Sequence, residues 1–200
     1  MTLDQYRSVA DRLLGPWVRG AEKLGLSPDQ VSVVAFGVAV AAGIAFAVGE
    51  PVFYVLGAVL VLLNGWLDLV DGALARHLGV SSDGGDLLDH VLDRYADIAI
   101  IAGFTAGIGA YALGFAAVTG VLMTSYMGTQ IQAVGIGREY GGLLGRADRL
   151  ALMGIVGVAA AVYSAPLVVG LNVVALLLVL FAVVGHLTAL QRFLGAWSDL

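Results

Sequence analysis

A run without one charged side chain, from Val31 to Val48, sets the terms for the rest of this chain. With its flanks it reaches the ~20 residues needed for an α-helix to cross the hydrocarbon core of a bilayer. Five further helical segments follow, at about Val52–Leu67 (continuing to His77), Asp86–Gly109, Phe115–Ala133, Leu150–Tyr163 and Leu167–Leu187. Breaks at Gly49-Glu50-Pro51, Gly79–Gly85, Gly109–Gly114, 135–149 and Ser164-Ala165-Pro166 separate them. Ser27-Pro28-Asp29 starts the first, with Ser27 as N-cap and Pro28 in the first turn. Only 12% of the 200 residues are charged, and mean hydropathy is +0.93. A soluble domain carries about twice that charged fraction. The expectation is therefore an all-α membrane protein of one domain, residues 1–200, with six spans over 29–197.

Residues 3–26 read differently. Tyr6, Val9, Leu13, Leu14, Trp17 and Val18 recur at helical spacing, while Arg7, Arg12, Arg19 and Lys23 lie mostly on other faces. That pattern predicts an amphipathic helix lying in the membrane interface. Six spans place the N-terminus, the turn near Gly79–Gly85, the 135–149 loop and the C-terminus on one side. All ten Lys and Arg residues then fall on that side, and Glu50 alone marks the other. The positive-inside rule makes the charged side cytoplasmic. The N-terminus shows no cleavable signal peptide. There are no cysteines, which excludes disulfides and thiolate metal sites. The net charge of −5 carries no basic patch of the kind nucleic-acid binders use.

The chemistry concentrates in Asp68–Asp93, DLVDGALARHLGVSSDGGDLLDHVLD. Carboxylates at membrane depth are costly and are usually retained for a function. Asp68 and Asp71 share one helix face, and Asp89 and Asp93 share a face of the next. Two antiparallel helices joined by a short turn can bring all four together. Such a cluster needs cations to stay ionised. Hard oxygen ligands suit Mg²⁺, Mn²⁺ or Ca²⁺, and four carboxylates can hold two ions. A two-metal centre of this kind can polarise a phosphate or pyrophosphate and orient a hydroxyl nucleophile. Gly72 and Ala75 leave a bare strip beside Asp71, Arg76 can neutralise phosphate charge, and Gly84 and Gly85 permit a tight turn. Asp83 and Asp86 read as helix-end residues. Asp97 reads as a partner of the site or of Arg94. His77, His90 and His186 read as packing or interface residues, and the glycines within the spans as helix-packing positions.

The stretch resembles the signature of the CDP-alcohol phosphotransferase family, D-x2-D-G-x2-A-R-x8-G-x3-D-x3-D. It falls here on Asp68, Asp71, Gly72, Ala75, Arg76, Gly85, Asp89 and Asp93. The resemblance covers the whole chain, since that family has an interfacial N-terminal helix and six spans. It implies a dimeric membrane enzyme with two divalent cations, Mg²⁺ or Mn²⁺. Such an enzyme moves a phosphatidyl-type group from a CDP-linked lipid to an alcohol and releases CMP. By resemblance Asp68, Asp71, Asp89 and Asp93 bind the metals, and Asp93 is also the general base. Asp68, Gly72, Ala75, Arg76 and Gly85 line the CDP site, and SPDQVS adds Asp29 and Ser32.

The segment GTQIQAVGIGREYGGLLGRADRL resembles the inositol-phosphate branch, where a G-x-L-x-R-x-x-R-L pattern opens the fifth span. Arg146 and Arg149 fall on that pattern. With Arg138 and Arg192 they form the expected acceptor-phosphate set, suited to bidentate contacts. Gly128 and Gln130 stand where bacterial members tend to be basic, and that variant resembles archaeal relatives with archaeol lipids. The expected donor is thus CDP-archaeol or CDP-diacylglycerol, with inositol phosphate as acceptor and glycerol phosphate as the alternative. A transporter with a cation site would place the carboxylates near mid-membrane on broken helices. A structural Ca²⁺ protein would leave Gly72, Ala75 and Arg76 without a role.

Overall fold

The computed structural model describes residues 7–137 and 144–200, and every extended element in them is helical. The helices are α1 (Arg7–Lys23), α2 (Pro28–Val48), α3 (Pro51–Leu78), α4 (Asp83–Ile108), α5 (Tyr111–Ala133), α6 (Arg146–Val162) and α7 (Val173–Ser198). Four of them, α2, α3, α5 and α7, are long and apolar enough to cross a membrane, and the chain is a multi-pass membrane protein. The other two expected spans fall on α4 and α6. The α4 helix carries Asp83, Asp86, Asp89, Asp93, Arg94 and Asp97, and α6 has 17 residues.

The starts of these helices follow from their caps. Ser27 accepts from the Gln30 amide at 3.2 Å, and the Gln30 side chain accepts from the Ser27 amide at 2.9 Å, a reciprocal capping box. Pro28 stands at the first helical position, where no amide hydrogen is needed. Only Gly49 and Glu50 separate α2 from α3, so the two helices run as an antiparallel pair. Ser82 caps α4 by accepting from Gly85, which starts that helix at Asp83 rather than Asp86. Gly84 and Gly85 are therefore first-turn residues of α4. The turn itself is Gly79–Ser82, entered through a left-handed Gly79 that closes α3.

Other boundaries move for similar reasons. The fourth expected span begins earlier, at Tyr111, and the fifth at Arg146, where the Asp148 carboxylate accepts from the Gly145 amide at 2.9 Å. The sixth begins later. Leu167–Leu171 folds into a tight reversal, with the Leu167 and Leu171 amides bonded across it, and Asn172 then caps α7. Helix α7 runs on to Ser198, so Arg192 lies inside it rather than at its end.

Backbone-close packing holds the bundle. A Cβ on Gly43 would collide with the Ala99 carbonyl, and one on Gly103 with the Gly43 carbonyl. Helices α2 and α4 thus meet with no side chain between them. Gly120 and Gly185 bring α5 and α7 together in the same way. Phe46 stacks on Phe104, with ring centroids 3.8 Å apart, below the α2–α4 crossing. Ile100, Met153, Leu178 and Phe181 complete the core with them, so α4, α6 and α7 share one interior.

Helix α1 docks on α3 through a second cluster, in which Leu14, Val18 and Ala21 are buried against Val31, Val70 and Leu74. Trp17 meets Trp66 edge-on at 6.1 Å. Leu13, at 58% exposure, turns away from this seam. That division matches an amphipathic helix with one face on the protein. Tyr6 lies outside the described residues.

Candidate active site

Helices α2, α3 and α4 converge on one pocket, and α6 reaches it with its first residue. The spacing of Asp68 and Asp71 puts both on the same side of α3. Asp89 comes from the second turn of α4 because Ser82 starts that helix where it does. One carboxylate oxygen from each of Asp68, Asp71 and Asp89 lies within 4.8 Å of the others, with Asp71 buried and the other two half-buried. Three hard, anionic oxygens at that separation fit a divalent cation.

Asp93, one turn further along α4, is buried and is joined to the cluster by Arg146. The two terminal nitrogens of Arg146 hold Asp68 Oδ2 and Asp93 Oδ1, each at 2.6 Å. Arg94 also reaches Asp93 Oδ2, at 3.5 Å, and donates to Ser125 Oγ on α5. Helix α2 contributes Ser32, which donates to Asp71 Oδ2 at 2.7 Å. This bond joins the SPDQVS segment to the carboxylate motif.

The remaining expected residues divide into groups. Asp29 stands at the start of α2 against the first turn of α4, where a Cβ on Gly85 would lie 3.5 Å from its Oδ1. Gly72, Ala75 and Arg76 follow the carboxylates along α3 without lining their pocket. The Arg76 guanidinium lies back along Gly72, within 3.3 Å of where a Cβ would be, and is exposed in a groove with Arg19 under α1. Asp83 and Asp86 are exposed first-turn residues, as expected of helix-end carboxylates.

Among the described residues, the expected acceptor arginines Arg146, Arg149 and Arg192 are not gathered at one point. Arg146 belongs to the carboxylate cluster. Arg149, 5% exposed, pairs through Nη2 with Asp97 Oδ2 at 2.9 Å. Arg192 donates through Nη1 to the Thr124 carbonyl at 2.6 Å. Arg149 lines a small cavity with Thr124 and Thr188, and Thr124 is also the residue whose carbonyl Arg192 bonds, so both arginines stand near Thr124 of α5. Arg138 lies outside the described residues.

Three features escape sequence reasoning. Asp97 pairs with Arg149 of α6, not with the adjacent-turn Arg94, because it faces the bundle interior where α6 crosses. Thr124 and Thr188 look like ordinary span residues in sequence. Asn64 is buried in the carboxylate pocket, and its position one turn before Asp68 is the only signal it carries. His77 and His186 sit away from the pocket, His77 meeting Glu22 of α1 at 3.3 Å and His186 meeting Thr119 at 3.3 Å, whereas His90 Nδ1 lies 3.8 Å from Oδ2 of the cluster carboxylate Asp89.

A helical bundle with four helices of membrane-spanning length and a carboxylate cluster where its helices converge defines the class: a helical protein of membrane type with a pocket whose oxygens fit a divalent cation. Comparison with known proteins carries this further. Residues 26–197 match the family model for CDP-alcohol phosphatidyltransferase, and the chain belongs to that family. It is 31% identical over 199 residues to the archaetidylinositol phosphate synthase of Methanothermobacter thermautotrophicus, covering 99% of this chain and 95% of that one. Its fold matches the crystal structure of Mycobacterium tuberculosis phosphatidylinositol phosphate synthase with CDP-DAG bound. The TM-score is 0.79 at 25% identity, covering 93% of this chain and 94% of that one. The same enzyme in complex with manganese and citrate matches with TM-score 0.79 at 25% identity, over 92% and 88% of the two chains.

Proposed function

We propose that this protein transfers the phosphatidyl-type group of a CDP-linked lipid to the hydroxyl of inositol phosphate, releasing CMP, in phospholipid biosynthesis. The observation that carries this reading is Arg146. One guanidinium links Asp68 of the cation cluster to Asp93, the candidate base, and belongs to the loop pattern of the inositol-phosphate branch. An anionic acceptor drawn toward Arg146 arrives beside both. Similarity to an archaetidylinositol phosphate synthase supports the same acceptor. CDP-archaeol and CDP-diacylglycerol are the donors to compare.

In this reading Asp68, Asp71, Asp89 and Asp93 hold two divalent cations, Mg²⁺ or Mn²⁺, which supply charge neutralisation at the pyrophosphate and on departing CMP. Asp29, Ser32, Asp68, Gly72, Ala75, Arg76 and Gly85 form the CDP side. Ser32 orients Asp71 through its 2.7 Å bond. Asp93 takes the proton of the acceptor hydroxyl. The hydroxyl oxygen then bonds to the lipid-side β-phosphorus, and the bond from that phosphorus to the CMP oxygen breaks. Arg149 and Arg192, near Thr124, hold the acceptor's own phosphate, with Arg138 contributing from its loop.

The wider arrangement follows. Helices α4 and α6 add two spans to the four apolar ones, α1 lies at the interface, and residues 1–200 form one domain. The site, both termini and the basic residues face the cytoplasm, supported by the placement of all ten Lys and Arg. A homodimer is expected from the family resemblance.

The test is CMP release by purified protein with Mg²⁺ or Mn²⁺, either CDP-lipid, and inositol phosphate, glycerol phosphate, serine or free inositol as acceptor. Inositol phosphate should give the highest kcat/KM. Preference for serine or free inositol would overturn the acceptor assignment, and turnover in excess chelator would overturn the metal assignment.

A further inference from the structure

Asn64 lines the carboxylate pocket on α3, one helical turn before Asp68, and is 2% exposed. Its side-chain nitrogen donates to the Ala35 carbonyl of α2 at 2.9 Å. Only the nitrogen can make that bond, so the orientation of the amide is set. The Asn64 oxygen is then left buried with no donor among the described residues. A buried acceptor without a donor is unfavourable, and a leucine would fill similar space without that penalty.

No described group around it bonds to it. Asp68, Asp71, Asp89 and Asp93 offer only acceptors when ionised. Arg146 commits its terminal nitrogens to Asp68 and Asp93, and its buried Nε makes no bond to Asn64; Ser32 commits its hydroxyl hydrogen to Asp71 or the Pro28 carbonyl. What a pocket of acceptors can take in is a cation with its water, and Mg²⁺-type ions keep several waters when bound by carboxylates. An amide oxygen receives such a water without adding a further negative charge to the cluster.

We propose that Asn64 is a positioning residue of the divalent-cation site, its Oδ1 accepting a hydrogen bond from a cation-bound water beside Asp68. This rests on the carboxylate-site reading given under the proposed function, and deepens it by one residue.

The experiment is Mn²⁺ titration of the full-length protein in detergent by calorimetry, with thermal unfolding recorded in the absence of added metal. Asn64→Leu removes the acceptor and should raise the Mn²⁺ Kd at least ~10-fold, as outer-shell changes do at metal sites. Asn64→Asp keeps an acceptor but loses the donor to Ala35. It should lower the metal-free Tm and leave the Kd at or below the unsubstituted value. A purely structural Asn64 would lower Tm in both variants and leave Kd unchanged in Asn64→Leu, which overturns the proposal. Should Asn64→Leu not fold, a Kd raised ~10-fold in Asn64→Asp overturns it equally. Asp89→Asn separates the two levels. If it binds Mn²⁺ like the unsubstituted protein, or if that protein binds none, the carboxylate-site reading fails first. If Asp89→Asn loses binding and Asn64→Leu does not, only the assignment of Asn64 fails.

Discussion

Asp97→Leu should destabilise this protein more than the removal of any exposed charge. The Asp97 and Arg149 side chains are 1% and 6% exposed, and their contact is 2.9 Å. Each still has an unpartnered buried atom, Asp97 Oδ1 and Arg149 Nε, so the pair is incompletely satisfied even when intact. Removing the carboxylate leaves a guanidinium buried between α4 and α6. Breaking a buried pair in this way costs about 3–5 kcal/mol, a large share of a typical domain's ~5–15 kcal/mol. Replacing both partners removes the stranded charge together with the pair's own desolvation penalty. Asp97→Leu with Arg149→Met should therefore lie within about 1 kcal/mol of the starting protein, since apolar replacement of buried pairs is often neutral or better. The assay is equilibrium unfolding in mixed micelles, followed by the fluorescence of Trp17, Trp66 and Trp197. The reasoning is refuted if Asp97→Leu costs under about 1 kcal/mol, or if the double variant is as unstable as the two single changes summed. Activity supplies an independent readout. If Arg149 holds the acceptor phosphate, the double variant folds but its KM for that acceptor rises.

Gly103→Ala should cost about 1–3 kcal/mol or more by overpacking, because its new methyl meets the Gly43 backbone, which no rotamer change can move aside. Gly37→Ala, with open space around it, should stay within about 0.5 kcal/mol in the same unfolding assay. Asp89→Ala should abolish both Mn²⁺ binding and CMP release; retention of either would remove Asp89 from the cation site. Asp93→Asn should keep CDP-lipid binding and lose about 10²–10⁴-fold in turnover, and normal turnover would place the base elsewhere. Arg192→Ala should raise KM for inositol phosphate with little change in CDP-lipid affinity. It tests the acceptor side more cleanly than Arg146→Ala, since Arg146 also holds Asp68 and Asp93.

Much of the architecture was legible in sequence because hydropathy and helix caps are local properties. The run Val31–Val48, the Ser27-Pro28 start and the Gly49–Pro51 break each act over a few residues, and each reappears in the structure. The Asp68–Asp93 motif was legible for the same reason: helical spacing alone puts its carboxylates on shared faces, and their charge in an apolar chain marks them. Helix ends shifted where a cap looked ordinary, at Ser82 and Asn172. Other features depend on which helices cross at which height, and no local pattern records that. Asp97 chose Arg149 over Arg94 because α6 passes its face of α4. Arg146 joined the carboxylates, while Arg149, one turn later, turned into the interior toward Asp97. Asn64 became part of the pocket because Ala35 of α2 holds its amide. A buried charge or amide takes whichever complementary group the packed backbone brings within about 3 Å, and the glycine contacts between α2 and α4 and between α5 and α7 decide which groups those are.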